Sequence, residues 1–199
     1  MGASCGILIR RDCSDIDSSW IVFNQPKPDE NLSDISQNKH AGFLLGIGLM
    51  GHLRKMAHSD ALRYYLLPQN EMLSIGLLLG LGSSFFGKRD HGVTDIISVH
   101  IPAMLPPNSA SLNTASFTRT AAVVAYGLVH FGSKCRQSTH KLMNEMSQAK
   151  FAELDPENLH TECYIAGCGF ALVCGFNLGV HQYTLGGSRY NEATYWTQQ

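Results

Sequence analysis

Four apolar segments rich in glycine and alanine recur along the chain, and their spacing constrains the fold more than any single motif does. The segments are AGFLLGIGLMGHL (41–53), IGLLLGLGSSFFG (75–87), TAAVVAYGLVHFG (120–132) and AGCGFALVCGFNL (166–178). Aligned on their second residues, consecutive segments are 34, 45 and 46 residues apart. Units of this length are typical of helical pairs that stack on one another and bury a shared core.

Each segment carries small residues four positions apart, which fall on one face of a helix. A glycine inside a helix costs about 1 kcal/mol relative to alanine, so close approach of neighbouring helix backbones has to offset that cost. We therefore predict that these small residues are helix-packing positions. They are Gly42, Gly46, Gly48, Gly76, Gly80, Gly82, Ala121, Ala125, Gly127, Gly167 and Ala171. We expect Gly46→Leu to destabilise the protein and to weaken the stacking of the first helical pair on the second.

The polar segments between the glycine-rich helices predict the second helix of each pair. HLRKMAHSDALRYYL (52–66), KRDHGVTDIISVHIPAML (88–105) and SKCRQSTHKLMNEM (133–146) mix charged with apolar residues. Gly51, Gly87 and Gly132 stand where a left-handed cap would end each glycine-rich helix. We predict an all-α fold, an α-α solenoid or toroid arc of about four helical-pair repeats.

The boundaries of this array follow from the repeats and from the composition around them. Residues 40–180 form the predicted array, with repeats near 41–72, 73–118, 119–162 and 163–180 onward. Residues 1–39 are an N-terminal segment followed by a polar linker, and residues 181–199 are a C-terminal tail without a clear period.

Two stretches imitate nucleotide-binding motifs. Gly46-x-Gly48-x-x-Gly51 has the spacing of a dinucleotide-binding turn, but no β-branched strand precedes it. Gly82-x4-Gly87-Lys88 has the spacing of a phosphate-binding loop, but Arg89 replaces the Ser or Thr that would hold magnesium. We therefore predict no cofactor and no small-molecule ligand.

Other functional classes are excluded by composition and spacing. The chain has 15 basic and 16 acidic residues, a net charge of −1, which disfavours a nucleic-acid or anionic-membrane surface. No apolar run is long enough to span a membrane. His160, Cys163, Cys168 and Cys174 could be imagined as a zinc site, but no C-x2-C pair occurs, and buried reduced thiols are the preferred interpretation. We predict no catalytic residue and no metal site, and a cytosolic or nuclear location.

Several of these stretches together resemble a known family. The sequences WIVFNQPKP, HAGFLLGIGLMGHL, EMLSIGLLLGLG, SVHIPAMLPPNS and TAAVVAYGLVHFGS are similar to the proteasome/cyclosome repeat region of the largest subunit of the anaphase-promoting complex. The resemblance runs from about Trp20 to Gly179. It implies a ring of paired helices in two concentric layers that serves as a scaffold in a multisubunit ubiquitin ligase of the cell cycle.

The resemblance also implies partners. In that family the catalytic cullin-like and RING subunits are separate chains, and the repeats lie near the co-activator and the DOC-domain subunit. No catalytic residue is carried over to this sequence. Because the family's subunit is many times longer, we expect a fragment, a truncated gene product or a degenerate copy.

Two alternatives stay open from the sequence. The glycine-rich helices also fit the related scaffold subunits of the proteasome regulatory particle, although HIPAMLPP (100–107) does not. A small nucleotide-binding enzyme fits only the two imitated motifs.

Overall fold

Three of the four glycine-rich segments form α-helices that lie side by side. The structure, a computed structural model, describes residues 2–10, 12–13, 16–25, 33–57, 60–66, 71–106, 115–145, 169, 182–185 and 188–191. Its α-helices are α1 (Gly2–Leu8), α2 (Ser18–Phe23), α3 (Ser33–Met50), α4 (Glu71–Ser84), α5 (His91–Ser98), α6 (Ser116–Val129) and α7 (Arg136–Glu145). Short 3₁₀ helices cover His52–Lys55, Asp60–Leu66 and Pro102–Met104. Every described element before residue 182 is helical, which confirms the predicted all-α class.

We call α1, α3, α4 and α6 the inner helices, because each packs against the next in chain order. Helix α4, which lies between α3 and α6, is apolar on all sides, as is typical of a helix buried between neighbours. Leu73, Leu77 and Leu81 of α4 are at most 1% exposed. The described inner helices therefore stack as predicted, whereas the curvature of the array stays a prediction.

The outer elements join consecutive inner helices and cover one side of them. The 3₁₀ helix Asp60–Leu66 contacts both α2 and α4, and α5 packs against α6. Asp90 begins α5 as a side-chain cap, since its carboxylate accepts a hydrogen bond of 3.0 Å from the backbone N–H of Val93. Val93 and Ile97 then place the apolar face of α5 in the core.

The predicted left-handed caps are confirmed. Gly51, Gly87 and Gly132 have φ values of +88°, +66° and +61°, and each follows the last turn of an inner helix. Glycine suits this backbone conformation because it has no Cβ atom to clash with the following carbonyl. These caps turn the chain from each inner helix towards its outer partner.

The N-terminal residues differ from our expectation of a segment and a polar linker over 1–39. They contain α1 and α2, and α3 already begins at Ser33. Gly2 and Gly6 are four residues apart, as in the later units, and α1 packs along α3 through this small-residue face. The close packing explains why so short a segment is helical, since helices of this length are marginal alone.

A short antiparallel hairpin lies in the predicted C-terminal tail. Strand β1 (Gln182–Leu185) pairs with β2 (Ser188–Asn191), with Tyr183 opposite Tyr190. In the sequence Gly186 and Gly187 stand between the strands, and glycine pairs favour two-residue hairpin turns. This hairpin is the only sheet among the described residues, which contain no parallel strands.

The fourth predicted repeat lies almost entirely outside the described residues, and only Gly169 of the segment 166–178 is described. Gly169 is helical and buried. Of the helices that the structure describes, none combines the length and apolar character needed to cross a membrane.

Candidate packing interface of the inner helices

The contact between α3 and α4 is a contact between two backbones. A Cβ atom added to Gly48 would lie 2.5 Å from the carbonyl oxygen of Gly80, and one added to Gly76 would lie 2.8 Å from the Cα atom of Ala41. A Cβ atom on Gly80 would lie 2.8 Å from the carbonyl oxygen of Leu44. Real Cβ atoms do not come so close to backbone, so this approach requires glycine at all three positions.

Gly42 and Gly46 face α1. A Cβ atom on Gly46 would lie 2.6 Å from the carbonyl oxygen of Ala3 and 2.9 Å from the Cα atom of Gly6. Gly42 also faces α1, where the backbone nitrogen of Ala3 would lie 3.0 Å from an added Cβ atom. Our expectation that Gly46 stacks the first pair on the second is therefore wrong about the neighbour. Gly48 is the residue of α3 that meets the second pair.

The contact between α4 and α6 repeats this arrangement with alanine. A Cβ atom on Gly82 would lie 2.7 Å from the Cα atom of Ala125, and Ala121, Ala125 and Gly127 are all buried in α6. Gly169 contacts Val123 of α6, because a Cβ atom added to Gly169 would lie 2.6 Å from Val123 Cγ1. The predicted packing residues Gly167 and Ala171 lie outside the described residues.

Hydrogen bonds also tie each unit to the next at the carboxyl ends of the inner helices. The buried Ser84 hydroxyl of α4 donates to the carbonyl oxygen of Gly48 in α3 over 2.7 Å. The Arg54 guanidinium donates to the carbonyl oxygen of Ser84. One unit later, the N–H of Gly87 donates to Leu128 O (2.9 Å) and that of Arg89 to Val129 O (3.1 Å). These bonds fix the register between consecutive helices.

The packing geometry accounts for both imitated nucleotide motifs. Gly46 and Gly48 lie inside α3 against two different neighbouring helices, and Gly51 is its left-handed cap. Gly82 lies inside α4 against α6, while Gly87 is the cap of α4. Neither stretch is a turn between a strand and a helix, which both nucleotide folds require.

Buried tyrosines and half-buried histidines link inner helices to outer elements. The ring of His40 in α3 stacks on Tyr65 with centroids 5.4 Å apart, and His40 Nε2 lies 3.0 Å from the Tyr65 hydroxyl. Burial lowers the pKa of His40 to about 4 and raises the pKa of Tyr65 to about 12. His40 is therefore neutral at physiological pH and acts as a packing residue.

A second pair of this kind lies two units further on. Tyr126 of α6 stacks on His130 with centroids 4.4 Å apart, and its hydroxyl lies 2.7 Å from Ser138 Oγ in α7. Burial, followed by the charges of Arg89 and His91, lowers the pKa of His130. His130 Nε2 also lies 3.1 Å from Thr94 Oγ1 of α5. Apart from the contact of Tyr126 with His130, these pairings join residues that are 12 to 36 positions apart in the chain, so the sequence did not indicate them.

No arrangement typical of a catalytic centre occurs in the part of the chain that the structure describes. Within that part, no three His, Cys, Asp or Glu side chains are placed to hold a metal ion. An open pocket of about 230 Å³ lies between the Asp60–Leu66 helix and α4, lined mainly by Ala57, Leu62, Leu66, Leu81 and Ile96. Its polar rim is the exposed ion pair of Arg63 and Asp60, 3.2 Å apart. The geometry of the described residues is that of a packing interface.

Comparisons with known proteins match this chain over most of its length. Residues 1–86 match the family described as the APC1 fourth domain, and residues 91–189 match the APC1 fifth domain. The chain is 37% identical over 202 residues to the human anaphase-promoting complex subunit 1, a match that covers 94% of this chain and 10% of that protein. It is 38% identical over 182 residues to the subunit 1 of Schizosaccharomyces pombe, covering 90% of this chain and 11% of that protein.

A third relative carries a different name. The "Negative regulator of mitosis" of Emericella nidulans is 40% identical over 178 residues, which cover 89% of this chain and 8% of that protein. The chain thus spans about a tenth of the length of the curated relatives that it matches. The chain matches two consecutive domain families of APC1 and also relatives from fungi and human. From these matches, the chain belongs to the family of anaphase-promoting complex subunit 1.

Proposed function

We propose that this chain is a non-catalytic scaffold segment of the anaphase-promoting complex, the multisubunit ubiquitin ligase of the cell cycle. The backbone-to-backbone stacking of α1, α3, α4 and α6 is the observation that carries the proposal. Such stacking makes a rigid extended body with surfaces on which other proteins can assemble. The relatives' names, as subunits of this complex and as a regulator of mitosis, support the same role.

The proposed partners are the other subunits of the complex and its co-activator. The resemblance favours the DOC-domain subunit and the cullin-like subunit among them. We also propose a nuclear and cytoplasmic location, where such a complex would meet its mitotic substrates. The alternative role as a scaffold of the proteasome regulatory particle is not favoured, because the relatives named above are subunits of the anaphase-promoting complex.

Sedimentation of the tagged chain from cells that encode it tests this proposal. We expect the chain to sediment with the cullin-like and DOC-domain subunits at the size of the assembled complex. The matched variant Gly48→Leu, which separates α3 from α4, should leave these fractions. Sedimentation of the unmodified chain alone, or with proteasome subunits, would overturn the proposal.

Enzymatic activity is tested separately. Purified chain mixed with ubiquitin, ubiquitin-activating enzyme and ubiquitin-conjugating enzyme should not accelerate ubiquitin transfer. Acceleration that persists in the purified chain would contradict the non-catalytic role.

A further inference from the structure

The turns that follow the inner helices concentrate positive charge at one edge of the stack. We call these turns the basic edge, which consists of residues 51–57 after α3, 85–91 after α4 and 130–138 after α6. They contain six of the 15 basic residues of the chain and one of its 16 acidic residues. The basic residues are Arg54, Lys55, Lys88, Arg89, Lys134 and Arg136, and the acidic residue is Asp90. The basic edge is therefore positive on a chain whose net charge is −1.

The positive charge of the basic edge does not depend on every cation. Lys134 and Asp90 take part in further interactions within the protein, so neither is assigned a docking role. If the Asp90 carboxylate neutralises one cation besides Lys134, four of the six positive charges still remain. Lys55, Lys88 and Arg136 are exposed, as is Arg89. The edge is thus a positive surface whichever cation lies beside Asp90.

Contacts at the ends of the inner helices place the three turns side by side. The Arg54 guanidinium donates to the carbonyl oxygen of Ser84 in the last turn of α4, so the first turn reaches the second. The N–H of Arg89 donates to Val129 O, at the carboxyl end of α6 directly before the third turn. The charge of Arg89 also contributes, after burial, to the lowered pKa of His130. The three turns therefore form one continuous edge.

The helix dipole does not account for most of these cations. A basic side chain gains from the dipole within the last turn of a helix, and the gain falls off beyond that turn. None of α3, α4 and α6 has a basic residue in its last turn. Arg54 returns to a helix end through its bond to Ser84, whereas the Lys55 and Lys88 ammonium groups have no ion-pair partner among the described residues. These lysines are free to meet a charge from outside.

We propose that the basic edge docks an extended acidic segment of a partner protein, with one carboxylate of the segment at each turn. Packed helices lie about 8–10 Å apart, so the turns repeat at about that interval. A segment in the polyproline II conformation advances about 9 Å in three residues and presents every third side chain on one face. The expected segment therefore carries an acidic residue at every third position. The proposal goes beyond the scaffold role and does not depend on it.

The aromatic residues of the basic edge favour a peptide over a nucleic acid. Single-stranded nucleic acids gain affinity where their bases stack on free aromatic rings. Phe86 and Phe131 stack on each other with centroids 4.7 Å apart, and Phe85 is buried. The net charge of −1 on the whole chain also disfavours a long polyanion, whereas a short acidic segment contacts the positive edge alone.

Fluorescence anisotropy of the full chain with labelled peptides at low ionic strength tests the proposal. The spaced peptide has three glutamates separated by Pro-Ala. The clustered peptide has the same composition and charge, but its three glutamates are adjacent. We expect the spaced peptide to bind about fivefold more tightly, the upper range for one additional exposed ion pair. Added salt should weaken the binding of both peptides.

Neutral variants of the exposed cations separate binding from folding. Lys55→Gln, Lys88→Gln and Arg136→Gln should each weaken the binding of the spaced peptide by up to about fivefold. Because these side chains are exposed, the melting temperature should stay unchanged. Lys39→Gln is the matched control, since it removes an exposed charge in the first half of α3, away from the basic edge. This variant should keep the affinity of the unmodified chain.

Charge reversal in the middle turn tests the alignment of the segment. The central position of the spaced peptide meets the turn after α4 in either direction of the peptide. Lys88→Glu should therefore bind a peptide with lysine in place of the central glutamate more tightly than one with lysine in place of a terminal glutamate. Equal binding of these two peptides to Lys88→Glu would contradict one carboxylate at each turn.

Four further results would overturn the proposal. The first is equal affinity of the spaced and clustered peptides, which would indicate attraction without alignment. The second is unchanged affinity in all three glutamine variants, or a loss of affinity that occurs only with a lower melting temperature. The third is tighter binding of a labelled single-stranded oligonucleotide of equal charge that the same variants weaken. The fourth is dimerisation of the chain that these variants abolish, since a second copy would then be the occupant.

Discussion

Gly48 of α3 and Gly80 of α4 approach so closely that a methyl group on Gly48 would lie 2.5 Å from the carbonyl oxygen of Gly80. No side-chain rotation can relieve such a contact, because the neighbouring atoms belong to a helix backbone. The spacing between these two helices is therefore set by the absence of side chains.

Replacing Gly48 with alanine should lower the free energy of unfolding. Helix propensity improves by up to ~1 kcal/mol, but overpacking against a fixed backbone costs ~1–3 kcal/mol. We expect a net loss, with the melting temperature falling by about 2–4 °C for each kcal/mol lost. Asn38→Ala, on the exposed surface of the same helix, is the matched control and should be neutral or slightly stabilising. A neutral Gly48→Ala would contradict the observed packing.

Gly46→Leu and Gly48→Leu should loosen different parts of the protein. Gly46 meets α1 through Ala3 and Gly6, whereas Gly48 meets α4 through Gly80. Amide hydrogen exchange should therefore rise first in α1 for Gly46→Leu and in α4 for Gly48→Leu. The same exchange pattern in both variants would disprove this division of the two glycines.

The cap glycine Gly87 should tolerate asparagine better than alanine. An added Cβ atom meets nothing within 4 Å there, so the cost of a substitution comes from the backbone conformation alone. We expect Gly87→Ala to cost about 1–2 kcal/mol in urea unfolding and Gly87→Asn to cost less. Equal stability of Gly87→Ala and the unmodified chain would show that the left-handed turn is not required.

Ser84→Ala should destabilise more than Ser83→Ala. The Ser84 hydroxyl donates across to Gly48 of the neighbouring helix, while the Ser83 hydroxyl donates to Leu79 within its own helix. Loss of the buried inter-helix bond should cost about 0.5–1.5 kcal/mol, measured by denaturant unfolding. Because Gly48 O also accepts from the N–H of Gly51, it is not left unpaired. Equal effects of the two variants would show that the inter-helix bond adds nothing.

Stability should fall as the pH decreases from about 6.5 to about 4. Burial lowers the pKa of His40 to about 4 in the folded chain, and it also lowers the pKa of His100 and His130. The unfolded chain thus binds more protons in this range, so its population rises as the pH falls. Urea unfolding at several pH values should show a smaller slope for His40→Gln than for the unmodified chain. Asn38→Ala, which changes an exposed residue of the same helix that does not titrate, should keep the original slope.

The sequence contained enough information for the inner helices and their caps. Small residues four apart, repeated at a regular interval, predicted α3, α4 and α6, and the glycine after each helix predicted Gly51, Gly87 and Gly132 as left-handed. The sequence also contained a pattern that predicts α1, since Gly2 and Gly6 are four residues apart like the small residues of the later helices. Being short and preceding the evident repeats, α1 was not identified.

The faces of α3 could have been assigned, whereas the links between units could not. Residues two apart on a helix point in nearly opposite directions, so Gly46 and Gly48 could not have met the same neighbour. The hydrogen bonds from Ser84 to Gly48 and from Arg89 to Val129 depend on the offset between neighbouring helices along their axes. That axial offset is set by the whole packed interface, and no local sequence pattern encodes it.

The backbone contacts between the inner helices also determine how this body responds to force. Side chains at an ordinary helix interface can change rotamer and absorb a small displacement. Where Gly48 meets Gly80 and Gly82 meets Ala125, almost no side-chain atoms lie between the helices, so a displacement cannot be absorbed by a change of rotamer. Close-packed interiors have low compressibility and transmit strain. A push on one inner helix is therefore passed to the next, so the stack behaves as a stiff rod along its own direction.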